Sequence, residues 1–107
     1  MKWDSEALQR RFKDKQLQSE ADLRNTRKYK KKSPFYESFV DDDLGKVILY
    51  SEIRDTAALE SKESFLEYLQ ELLMNDDLEG EKAFDLQRVK NSCKNEIENL
   101  IKEFDKT

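Results

Sequence analysis

The chain has 107 residues, 41% of them charged and 36% apolar, with a formal net charge of −4. That length suits one domain with a thin core assembled from amphipathic stripes, and six Phe, four Tyr and one Trp supply enough large apolar surface to argue against a wholly disordered chain. Two Gly and one Pro are too few for the tight turns of an all-β domain, so the expected fold is all-α, a small bundle of about four helices over residues 1–107.

Trp3, Ala7, Leu8 and Phe12 share one helical face, with Asp4 or Ser5 as N-cap. One long helix is expected from about Ser5 towards Arg24, with residues 15–19, where the stripe drifts and Gln16, Gln18 and Ser19 weaken it, as the place where a bend or break would fall. Residues 24–33 carry six cations and no apolar stripe, and read as a basic linker or an exposed helix end.

Ser33-Pro34 reads as an N-cap followed by proline at the first helical position. Phe35, Tyr36, Phe39 and Val40 then predict a short aromatic-rich helix. Asp41-Asp42-Asp43 reads as the cap of a new helix beginning at Leu44, since carboxylates favour a helix N-terminus. The run Val47-Ile48-Leu49-Tyr50 suits either a buried helix turn or a strand over residues 46–53. Helix is preferred because no partner strand is evident.

Ser61 is the expected N-cap of a helix whose stripe is Phe65, Leu66, Leu69, Leu72 and Leu73. Asn75-Asp76-Asp77 and Gly80 mark a loop. Leu86, Val89, Cys93, Ile97, Leu100, Ile101 and Phe104 then recur at three and four, predicting a helix over residues 85–104, about 30 Å long.

Charge is unevenly placed along this plan. Residues 1–33 hold eleven Lys and Arg against five Asp and Glu, a net of +6, while residues 34–107 hold nine against nineteen, a net of −10. Such an asymmetry speaks about partners rather than fold. There is no histidine, which removes the commonest general base and zinc ligand. Gly45 and Gly80 cannot form a phosphate-cradling glycine loop. Asn75, Asp77, Glu79 and Gly80 imitate the start of a calcium loop, but Leu86 stands where the bidentate Glu is required. No metal, cofactor or catalytic residue is expected, and Cys93 reads as a small core residue.

These features favour binding over catalysis. The leading expectation is a small acidic protein-binding module that inhibits or regulates a larger, basic partner, in the manner of an immunity protein, antitoxin or phage inhibitor. Its acidic face would comprise Glu52, Asp55, Glu63, Glu67, Glu71, Asp76 and Asp77. The alternatives are a nucleic-acid-associated protein contacting phosphates through Arg24, Arg27, Lys28, Lys30, Lys31 and Lys32, or a structural subunit docked through its C-terminal helix. One cysteine, no apolar leader and no run of about 18 apolar residues lead to an expectation of a cytoplasmic protein outside the membrane.

Overall fold

The computed structural model describes residues 3–74, Val89 and 93–105. Among them all regular structure is helical: α1 (Ser5–Tyr29), α2 (Tyr36–Leu59), α3 (Lys62–Met74) and α4 (Lys94–Asp105). This is the all-α bundle expected from the scarcity of turn formers. Residues 46–53, open to a strand reading in sequence, lie inside α2.

α1 starts where Asp4, extended at φ −137°, accepts the Ala7 N–H at 3.0 Å on its side chain. It runs without a break through residues 15–19, as the one long helix expected. The polar residues that weaken the stripe are used instead: Ser19 is buried, Gln16 accepts from Arg54 of α2, and Gln16–Glu20 and Gln18–Asp22 bond along the helix. α1 also takes in Arg24 to Tyr29, so the expected basic linker is in its first part a helix end, with Thr26 buried within it.

Lys30 to Phe35 form a hydrogen-bonded turn. The Lys30 N–H donates to the Thr26 carbonyl at 2.9 Å and the Ser33 N–H to the Lys30 carbonyl at 3.0 Å. Ser33 Oγ accepts the Phe35 N–H at 3.1 Å, so it caps the lead-in turn, and α2 itself begins at Tyr36 rather than at Pro34. The helix boundary expected at Asp41-Asp42-Asp43 is absent, because α2 runs unbroken from Tyr36 to Leu59. Three Asp inside a helix cost a few tenths of a kcal/mol each in propensity. Packing against α1 offsets this, and the Thr26 hydroxyl donates to Asp43 Oδ2 at 2.8 Å.

That bond, with Ser5 Oγ donating to the Ala57 carbonyl at 2.6 Å at the other end, sets α1 and α2 antiparallel. Ser61 caps α3 as expected: its Oγ accepts the Ser64 N–H at 3.3 Å and its carbonyl the Phe65 N–H at 2.8 Å. α4 lies antiparallel to α1, tied by Arg11–Glu103 at 3.3 Å and by the Lys15–Glu96 ion pair. The described part of the expected helix over residues 85–104 agrees with it at Val89 and from Lys94 onward, where the helix extends to Asp105. The loop residues from Asn75 to Gly80, with the calcium-like spacing, and Leu86 lie outside the described residues.

The core gathers Leu8 and Phe12 of α1, Leu49, Tyr50, Ile53 and Ala57 of α2, Phe65 and Leu69 of α3, Val89, Cys93, and Ile97, Leu100 and Phe104 of α4. Each large apolar side chain taken from water contributes about 1.5–3 kcal/mol. At the base of the bundle Trp3, Phe65 and Phe104 form a clasp, with centroids 5.4, 5.6 and 6.4 Å apart. Toward the other end of the α1–α2 hairpin, burial falls on Ser19, Leu23, Thr26 and Gly45. Apart from Leu23 these residues are small or polar and contribute little apolar area.

Candidate binding surfaces

The acidic candidates fall on two helices. Glu63, Glu67 and Glu71 follow one another at four-residue intervals on α3 and are exposed. That spacing places them in one row, about 6 Å apart along the axis. Glu52 and Asp55 lie on the exposed side of α2, Asp55 accepting from Arg54 Nε at 3.2 Å. Glu52 is close enough to Tyr68 of α3 to act on its hydroxyl, so the two acidic helices adjoin. Asp76 and Asp77 lie outside the described residues.

What the sequence analysis did not single out is the apolar surface beside these carboxylates. A groove of about 480 Å³ is lined by Val47, Ile48, Leu59, Glu52 and Asp55, with Gln16, Ser51 and Thr56 completing its walls. Ile48 is 45% exposed and Leu59 83%. The signal for it is the run Val47-Ile48-Leu49-Tyr50. Four consecutive residues sweep about 300° around a helix at 3.6 residues per turn, so they cannot all face one core. Leu49 and Tyr50 are buried and Ile48 is left in solvent.

The six basic candidates are brought together at the hairpin tip: Arg24, Arg27 and Lys28 on the last turns of α1, and Lys30, Lys31 and Lys32 in the turn that follows. All six are exposed, and none forms an ion pair among the described residues. Tyr29, 73% exposed, and Phe35, 64% exposed, stand among them. The Lys28 ammonium lies 5.3 Å from the Tyr29 ring centroid and that of Lys30 4.6 Å from Phe39, whose ring meets Phe35 edge-on at 6.5 Å. On one side of the hairpin a cleft of about 340 Å³ carries the carboxylates Asp22, Asp42 and Asp43 beside Asn25, Thr26, Lys30 and Lys46. Arg24, Arg27 and Lys28, three and four apart, occupy a different strip of α1 from Asp22 and Asn25. The cleft therefore mixes both signs, with Lys30 and Lys46 beside its carboxylates, while Arg24, Arg27 and Lys28 lie outside it.

A third cluster lies inside the bundle. The Tyr50 hydroxyl donates to Glu96 Oε2 at 3.2 Å and lies 3.5 Å from Cys93 Sγ, while Lys15 pairs with the same Glu96 and sits 5.7 Å from the Tyr50 ring centroid. Burial above all, then the Cys93 thiol and the Glu96 carboxylate, hold the Tyr50 hydroxyl protonated well above the ordinary tyrosine range. Burial, with the Glu52 carboxylate nearby, pushes Tyr68 the same way. Cys93 is buried on the core side, where the sequence reading put it. Tyr50 thus remains a neutral donor that orients Glu96.

Among the described residues no helix is long and apolar enough to cross a membrane, and no group of three or more acidic or cysteine side chains is placed to hold a metal ion. Comparison of the chain with family models, with curated proteins and with solved structures gave no match.

Proposed function

We propose that the protein is a cytoplasmic, non-catalytic binding module that engages a basic segment of a larger protein through α2 and the adjoining acidic row of α3, and thereby inhibits or regulates that partner. The observation that carries this reading is the groove on α2, in which Ile48 and Leu59 are exposed and Val47 is half-buried, beside Glu52 and Asp55. An apolar strip rimmed by carboxylates suits a basic amphipathic helix. The strip gains from burial, while the rim steers the encounter and fixes the register. Glu63, Glu67 and Glu71, none of them in an ion pair among the described residues, extend the negative field beyond the groove.

Affinity capture from nuclease-treated lysate of the source cells, comparing the wild type with Ile48→Lys/Glu52→Lys, tests the reading. One stoichiometric basic protein retained by the wild type and lost by the variant is expected. A partner retained equally by both, or recovered only when nucleic acid is intact, refutes it. Ile48 and Glu52 are exposed, so an unchanged helical circular dichroism signal in the variant will separate lost binding from lost folding.

A further inference from the structure

We propose that the tip of the α1–α2 hairpin is a second, independent docking site, and that it takes single-stranded nucleic acid. Arg24, Arg27 and Lys28 project from the final turns of α1, and the hydrogen-bonded turn that follows presents Lys30, Lys31 and Lys32. The turn is closed by bonds from Lys30 to Thr26 and from Ser33 to Lys30, so the cations are displayed on an ordered scaffold. Their charge is not consumed by ion pairs among the described residues.

Carboxylates do stand nearby. Asp22, Asp42 and Asp43 line the cleft on one side, where Lys30 and Lys46 stand beside them, while Arg24, Arg27 and Lys28 lie on a different strip of α1 from Asp22 and, with Lys31 and Lys32, are outside the cleft lining. The acidic row of α3 sits in the four-helix part of the molecule, whereas the tip ends a hairpin whose helices are each roughly 36 Å long. At physiological ionic strength fields decay over about 8 Å. The net negative charge of the whole chain therefore does not govern a ligand at the tip.

The two exposed aromatic rings select among polyanions. Tyr29 and Phe35 flank the cations, and an unpaired base can stack on such a ring whatever its sequence. A duplex keeps its bases stacked inside and would meet only the charges. An anionic membrane would require a broad apolar face, and α1 offers none over residues 24–29 apart from Tyr29. Clustered cations with exposed aromatic rings among them match a flexible single strand best.

Fluorescence anisotropy of the full chain with labelled oligo(dT) of about 20 nucleotides, a duplex of the same length, and anionic phospholipid vesicles tests the assignment. If about five phosphates are neutralised, the affinity for the single strand falls roughly 100-fold between about 50 and about 200 mM salt. Lys30→Ala/Lys31→Ala/Lys32→Ala is expected to flatten that salt dependence. Tyr29→Ala and Phe35→Ala are each expected to weaken single-strand binding by at least about fivefold while leaving the salt slope unchanged. Glu52→Lys should not reduce it, since the α2 groove is a separate surface. Absence of oligonucleotide binding, equal or tighter binding to duplex or to vesicles, or indifference to both aromatic substitutions would overturn the proposal. All substituted side chains are exposed, and matching thermal melts will show that the variants are folded.

Discussion

Replacing Phe65 by Ala probes the clasp at the base of the bundle. Phe65 is fully buried and touches rings from three directions: Trp3 at 5.4 Å, Tyr68 at 6.3 Å and Phe104 at 6.4 Å between centroids. Truncation removes about 2–3 kcal/mol of transfer free energy and leaves a cavity between three helices. Phe→Ala substitutions at such sites cost about 3–5 kcal/mol in all. Against a total stability of about 5–15 kcal/mol for a chain of this size, the variant should lose between about a fifth and all of its stability. Trp3 is the sole tryptophan and lies in the clasp, so urea unfolding followed by its fluorescence reads the site directly, with circular dichroism at the helical band as a second probe. The exposed Phe35→Ala serves as the control and should change stability by less than about 0.5 kcal/mol. A loss below about 1 kcal/mol for Phe65→Ala would show that Trp3, α3 and α4 do not meet at this residue.

Two further predictions concern polar groups. Because the folded state holds Tyr50 and Tyr68 protonated above the ordinary tyrosine range, their stabilising effect is complete below about pH 10 and is lost as pH rises further, at about 1.4 kcal/mol per pH unit for each tyrosine. Tyr50→Phe should make the alkaline fall in melting temperature shallower than in the wild type, and an identical fall in both would contradict the placement of Tyr50 beside Cys93 and Glu96. Thr26→Val should cost about 1–2 kcal/mol by removing the buried donor to Asp43. A double-mutant cycle with Asp43→Ala should return a coupling of more than about 0.5 kcal/mol, and additive losses would refute the bond.

The elements that were legible in the sequence are those whose signals are local. Asp4 and Ser61 cap α1 and α3 as read, and Phe65, Leu69, Ile97, Leu100 and Phe104 are buried in the periodic order in which they occur. α2 was read as two helices because Asp41-Asp42-Asp43 resembles a cap to any neighbour-by-neighbour inspection. What keeps the helix intact there is α1, through Thr26, and that contact is 17 residues away in sequence. The same partnership explains why Arg24 to Tyr29 looked like a linker: a helix face satisfied by Leu23 and by one buried hydroxyl shows almost no apolar stripe. Of the candidate surfaces, the cations were clustered and easily found, and Glu63, Glu67 and Glu71 were named as acidic candidates, though their common row follows from the helix they share. The α2 groove was hidden because Ile48 belongs to a run that read as buried until the helix phase decided which apolar side chains turn inward.

The division of burial along α1 and α2 bears on how the molecule opens. Near the base the hairpin is backed by α3 and α4, whereas among the described residues its far end is held by Ser19, Leu23, Thr26 and Gly45, with Leu23 outside the main cluster. Backbone amides there should exchange with solvent through a partial opening that costs only a fraction of the global unfolding free energy, while those around Ile53 and Leu100 wait for complete unfolding. The hairpin therefore has two tiers of cooperativity in one continuous pair of helices. A ligand that grips residues 24–35 would slow exchange in the upper tier and leave the lower one as it was, which makes hydrogen exchange a map of where any partner binds.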